Sequence, residues 1–203
     1  MAVLNVTPDS FSDGGAYADG AAAVAAAAEM VAAGAAMIDV GAESTRPGAQ
    51  GVADGEQIAR AVPVITELHR RCPSVPISID TRSAAVAAAA LDAGATIVND
   101  ISALRDDPAM ARLVAAREAG VVLMHMRGTP ADMQAGGGPE YEDVVEEVTA
   151  FLAERRAAAI AGGIAADRIM LDPGLGFGKR VEHNVELLRG LATIVALGSP
   201  VVV

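Results

Sequence analysis

The sequence predicts an α/β fold, a (β/α)8 TIM barrel carried here by about six strand–helix units and the start of a seventh strand. Three observations carry that expectation. Short apolar runs alternate strictly with alanine-rich helical stretches from end to end. The runs read as strands apolar on both faces, as parallel strands covered by helices are. Each run also ends in a polar residue and then a loop: Asn5, Asp39, Asp80, Asn99 with Asp100, His125 and Asp172. Polar groups after every strand favour a closed barrel over an open sheet, where they would gather at one switch point. Residues 1–203 contain no linker or low-complexity tail and read as a single domain.

In order, Ala2 to Leu4 is strand, and Asn5 opens a long polar turn through Gly15. Such a turn costs ordering entropy, which a bound ligand can offset. Asp19 to Ala33 reads as helix, stopped by Gly34. Ala36 to Val40 is strand two. A helix follows from about Asp54 to Arg71, with a kink expected at Pro63. Pro76 to Asp80 is strand three, Ser83 caps an alanine helix ending at Gly94, and Ala95 to Asn99 is strand four. Pro108 starts a helix that Gly120 closes. Val121 to Met126 is strand five, followed by a glycine-rich loop and a helix from Tyr141 to about Ala161. Arg168 to Leu171 is strand six, one helix runs from Val181 to about Leu197, and Pro200 to Val203 opens strand seven.

Composition narrows the function. The formal net charge of −11 argues against general nucleic-acid binding, which needs a basic face. An anionic small ligand stays open, because a few local cations override the global sign. The single cysteine, Cys72, excludes an internal disulfide and reads as a helix-end thiol in a reducing cytoplasm. No leader pattern and no apolar run approaching the ~20 residues of a membrane span are visible.

The loop Gly174-Leu175-Gly176-Phe177-Gly178-Lys179 matches neither the phosphate P-loop nor the dinucleotide fingerprint in its spacing. Asp80 and Asp172 end apolar strands, where buried carboxylates need donors. With Asn99 they suit a flat heterocycle rich in N–H groups; capping of the next helices is the plainer alternative. Asn5 with Asp9 or Asp13 could hold Mg²⁺ beside a phosphate, and the same residues also make ordinary turns. Arg46, between Thr45 and Pro47-Gly48, could bind a carboxylate or phosphate. His125 reads as a packed strand-end histidine. No His/Cys set has zinc spacing, and no nucleophile elbow is present.

These segments resemble a known family. Asn5-Val6-Thr7-Pro8-Asp9-Ser10-Phe11-Ser12-Asp13-Gly14-Gly15 is similar to the first signature of the dihydropteroate synthases, and Asp39 to Gly48 to the second. Ile79-Asp80-Thr81, Val98-Asn99-Asp100, Leu123-Met124-His125-Met126 and Leu171-Asp172-Pro173-Gly174 with Gly176-Phe177-Gly178-Lys179 follow in family order. The resemblance implies a pterin-binding barrel that displaces diphosphate from a pterin methylene with p-aminobenzoate. It implies pterin contacts from Asp80, Asn99 and Asp172, and a diphosphate-bound Mg²⁺ on Asn5. It gives Thr45 to the pterin-diphosphate substrate and Asp9, Phe11 and Asp13 to a closing loop. Arg46, Pro47 and Phe177 would form the arylamine pocket, with Ile101, Met124 and Lys179 as further substrate contacts. The implied partners are small molecules, with no nucleic acid or membrane, and a homodimer is left open.

Ala2 and Ala42 stand where the family usually has glycine, so a tight fit is expected there. The chain stops inside an apolar run, before the family's later lysine and Arg-x-His. The sequence therefore reads as a fragment, expected to be inactive and poorly stable by itself. Corrinoid methyl transfer and a non-catalytic pterin module are the alternatives. The Thr45-Arg46-Pro47-Gly48 loop and the first signature argue against the former.

Overall fold

Strand and helix alternate as β1 (Ala2–Asn5), α1 (Ala16–Ala32), β2 (Ile38–Gly41), α2 (Asp54–Arg71), β3 (Ile77–Asp80), α3 (Ala84–Asp92) and β4 (Ile97–Asp100). Then come α4 (Met110–Ala116), β5 (Gly120–Met124), α5 (Val144–Ala161), β6 (Ile169–Asp172), α6 (Val181–Arg189) and α7 (Leu191–Val195). The computed structural model describes residues 1–6, 16–43, 51–129, 133 and 139–203, with backbone only for 16–19. Two compact units emerge, Met1–Ser44 with Gly51–Asn99 and a second that takes in Asp100–Val203. The strands follow chain order, β1-β2-β3-β4 and then β5-β6, and every described pairing is parallel.

In the first unit the register decides what faces where. Leu4, Val40, Ile79 and Val98 form one row across the four strands, all at most 3% exposed. Burying such a side chain stabilises the fold by roughly 1.5–3 kcal/mol. The rows on either side point to the opposite face. They hold Asp39 beside Ser78, and Asn5, Gly41, Asp80 and Asn99. That corrects the expectation of strands apolar on both faces: in this unit the second face carries these polar side chains beside Val3 and Ile97. It also moves Asp39 from the end of β2 into its interior, because β2 starts at Ile38 and runs on to Gly41.

Local signals set the helix ends. Ser83 Oγ accepts from Val86 N and Asp143 Oδ1 from Glu146 N, capping α3 and α5. Gly34 takes φ +100° after α1, where a Cβ would be strained. Cys72 ends α2 and is half-buried, and α2 continues through Pro63 as one helix.

In the second unit, Val121, Leu123, Ile169 and Leu171 fill the helix side of β5 and β6 and are fully buried. Val201 bridges to Leu171 in parallel, so a seventh strand does open beside β6. Several boundaries differ from expectation: α5 starts at Val144 rather than Tyr141, and β5 ends at Met124 rather than Met126. Gly120 begins β5, and α4 ends instead at Ala116 with Arg117 as its cap and Glu118 turning at φ +49°. The single last helix breaks at Gly190, where a Cβ would lie 2.7 Å from Val145 of α5. That tertiary approach leaves no trace in helical periodicity.

Candidate active site

Asn5, Gly41, Asp80 and Asn99 are partners across β1 to β4, so they lie in one row at the strands' C-terminal ends. Gly41 keeps that row open. A Cβ there would sit 3.3 Å from Asn5 Oδ1 and 3.7 Å from Asp80 Oδ2. An amide oxygen and a carboxylate oxygen thus converge over a residue without a side chain. Asn5 is exposed and Asp80 half-buried.

Two residues further back, Asp39 is 2% exposed. Ser78 Oγ donates to its Oδ1 at 2.5 Å, and Asn99 Nδ2 donates to its Oδ2 at 3.1 Å. Burial pushes the Asp39 carboxyl above the usual carboxylate range, and the bonds from Ser78 and Asn99 oppose that shift. Asn99 is itself buried, and its Oδ1 has no hydrogen-bond partner among the described residues. A buried acceptor left bare costs free energy unless something donates to it.

The second unit's strand ends carry Met124 opposite Asp172. Asp172 Oδ1 accepts from Gly174 N at 2.6 Å, fixing the first turn of the glycine loop. Gly174 and Gly178 adopt φ of +66° and +60°, and a Cβ on them would lie 2.0 Å from His125 O and 2.4 Å from Arg127 O. This close backbone approach folds Lys179 inward.

Lys179, the chain's one lysine, is 3% exposed. Its Nζ donates to Gly174 O (2.9 Å), Phe177 O (3.0 Å) and His125 O (3.1 Å), and lies 2.9 Å from His125 Nδ1. Three ammonium protons meet four acceptors, so none remains for a ligand. Lys179, which the resemblance lists among the substrate contacts, here clamps the loop. Burial lowers its pKa to about 7, opposed by the Asp172 carboxylate. Burial also lowers His125 to about 3, aided by the Lys179 charge, so the ring is neutral and Nδ1 accepts. The ring stacks edge-on against Phe151 at 4.9 Å, the packed histidine the sequence suggested.

Ile101, Met124, Met126 and Met133 form a buried apolar cluster with half-buried Phe177 against it. The structure therefore brings together the expected contacts Ile101, Met124 and Phe177. Asp9, Phe11, Asp13, Thr45, Arg46 and Pro47 lie outside the described residues. Ala42 is fully buried and its carbonyl accepts from Arg60. Among the described residues no group of three or more His, Cys, Asp or Glu is placed to hold a metal, and no helix is long and apolar enough to cross a membrane.

Sequence reasoning missed Asp39 with Ser78, and Met126 with Met133. The first pair had a signal: Ile-Asp-Val-Gly and Ile-Ser-Ile-Asp put a polar residue two places before the strand's last one, on the same face. The methionines had none.

A family model described as pterin binding enzyme matches residues 1–203. The dihydropteroate synthase of Mycobacterium leprae (strain TN) is 49% identical over 203 residues, covering 99% of this chain and 70% of that protein. A solved Xanthomonas albilineans dihydropteroate synthase with 4-aminobenzoic acid aligns at TM-score 0.89 and 45% identity, over 99% of this chain and 70% of that one. The same enzyme in complex with 7,8-dihydropteroate aligns at TM-score 0.85 and 41% identity, again over 99% and 70%. The fold shared with them is the α/β barrel expected from the sequence, of which this chain carries six strand–helix units.

Proposed function

The chain belongs to the pterin-binding enzymes and, within them, to the dihydropteroate synthases, and from that premise we propose how its residues divide the reaction. It is a transferase of folate biosynthesis. p-Aminobenzoate attacks the methylene of 6-hydroxymethyl-7,8-dihydropterin diphosphate. A C–N bond forms, the C–O bond to diphosphate breaks, and the arylamine loses a proton.

In the first unit, Asn99 and Asp80 accept from the N–H edge of the pterin. The bare buried oxygen of Asn99 is the observation that carries this reading. Asn5, exposed at the same strand-end row, would hold Mg²⁺. A single amide oxygen, with waters and diphosphate completing the shell, fits the way magnesium is usually bound. The ion would neutralise charge on the leaving diphosphate. In the second unit, Asp172 contributes a further pterin contact. Phe177, Ile101 and Met124 give the aryl ring an apolar wall, while Lys179 holds Phe177 in place through its carbonyl. Thr45 is assigned to the pterin-diphosphate substrate, Arg46 and Pro47 to the arylamine pocket, and Asp9, Phe11 and Asp13 to a loop that keeps water from the cationic methylene.

The test is dihydropteroate formation by the purified protein from the two substrates with Mg²⁺. Asn99→Ala should lower pterin-substrate affinity by roughly tenfold or more, the scale of one buried polar contact. An active protein indifferent to that change would remove Asn99 from the site.

A further inference from the structure

Asp39 is a carboxylate inside a strand, and its two described hydrogen-bond donors are neutral. A pair of apolar residues would cost the fold less than such a group. Its geometry does have one consequence. An ionised carboxylate only accepts, so Asn99 must turn its amide nitrogen toward Asp39. Asn99 Oδ1 is then the atom left bare. Were Asp39 protonated, its O–H would favour the flipped amide, with Oδ1 toward Asp39 and Nδ2 turned outward. The charge of Asp39 therefore decides whether Asn99 offers the ligand an acceptor or a donor.

Ser78 holds that charge in place. Its single hydroxyl proton goes to Asp39 Oδ1, and its oxygen lies 3.5 Å from Ile38 O. We propose that Ser78 is a positioning residue: by donating to Asp39, it keeps the Asn99 carboxamide with its oxygen toward the ligand. The inference rests on the reading of Asn99 as a pterin contact. Other charges bear on Asp39. Asp80 of β3 stands on the same face, and the Met1 ammonium lowers the Asp39 pKa. β4 offers Asn99 on that face, while β1 offers Val3 opposite Asp39. Burial raises the Asp39 pKa and the Ser78 bond opposes it, so losing the hydroxyl moves the protonation of Asp39 to higher pH.

The experiment has two arms on the purified protein. The first follows the Asn99 side-chain amide and the Asp39 carboxyl by NMR during an acid titration without ligand. The amide signals should change in step with the carboxyl, and in Ser78→Ala both midpoints should move to higher pH. The second measures binding of pterin across the same range. Ser78→Ala should weaken binding roughly three- to tenfold on the acid side and shift the acid limb upward, and Ser78→Thr should restore both. A merely structural serine would lower the melting temperature and leave the limb in place; that result overturns the proposal. So does a wild-type Asn99 amide that ignores the Asp39 titration, a measurement that holds even if Ser78→Ala fails to fold. A wild-type protein that binds no pterin removes the functional reading, and the ligand-free arm still decides the positioning claim.

Discussion

Asn99 and Lys179 are both buried polar side chains near a strand's end, and they are satisfied to opposite degrees. Asn99 gives its nitrogen to Asp39 and leaves its oxygen bare. Lys179 has more acceptors than protons. The faces around them differ as well. The first unit lines its polar side with Asp39, Ser78, Asp80 and Asn99, carried on strands; on β5 and β6, the positions in line with Met124 and Asp172 are Val122 and Met170. The second unit's polar chemistry sits in a loop that glycines fold back on itself. An unsatisfied group on a rigid strand is arranged for a ligand, and a satisfied group in a tight loop is arranged for the fold. Substitutions in the first unit should therefore act on binding, and those in the second on stability.

The harshest test of that contrast is the glycine loop. Gly174→Ala and Gly178→Ala each put a Cβ into a backbone carbonyl at a left-handed φ. Both should lose on the order of 3 kcal/mol or more in urea unfolding. Gly176→Ala has a φ of +84° and no neighbour within 4 Å, so it should lose only about 1–2 kcal/mol. Equal losses at all three would mean that close approach does not hold the loop.

Lys179→Met comes next. It strips a donor from three carbonyls and from His125 while removing a costly buried cation, for a net loss of roughly 2–4 kcal/mol. The sign of its pH dependence follows from burial. Between pH 7 and 10.5 an unfolded Lys179 holds a proton that the folded one has lost, so wild-type stability rises with pH across that window. The penalty of Lys179→Met should therefore grow from pH 7 to 10. His125 adds an acid window: its folded pKa of about 3 lies below the ordinary 6.5, so stability falls as pH drops from 6.5 toward 3. Unfolding curves at several pH values check both. A penalty that shrinks as pH rises would show that the charged, not the neutral, form of Lys179 holds the loop.

The same contrast explains what the sequence could reveal. Alternation, Ser83 and Gly34 are local signals, and the elements they predict are present. The Asn5, Asp80, Asn99 and Asp172 strand ends are legible because a polar residue closing an apolar run needs a donor, a ligand or water to meet it. The inward turn of Lys179 is not legible, because only the backbone meeting at Gly174 and Gly178 produces it. Asp39 passes for a strand end because register, not composition, places it opposite Ser78. The break at Gly190 depends on Val145, 45 residues away in sequence, a contact that no periodicity encodes.

The gentlest change sharpens the comparison most. Gly41 sits in a strand without a left-handed φ, so Ala is compatible with its backbone. Replacing a glycine at such a position stabilises a protein by about 0.4–1 kcal/mol through the unfolded chain. The added methyl would lie 3.3 Å from Asn5 Oδ1, close enough that the amide must shift by a few tenths of an ångström, and near Asp80. Gly41→Ala should therefore leave the melting temperature unchanged or slightly raised. Mg²⁺-dependent affinity for the diphosphate substrate should fall by a few-fold, with p-aminobenzoate KM nearly constant. Gly174→Ala carries the same added methyl in the second unit and should show the reverse, a large loss of stability. Titration calorimetry beside thermal melting on the two variants measures both quantities. A Gly41→Ala protein that melts early but binds normally would place the first unit's strand ends in the service of the fold, and the division between the two units would fail.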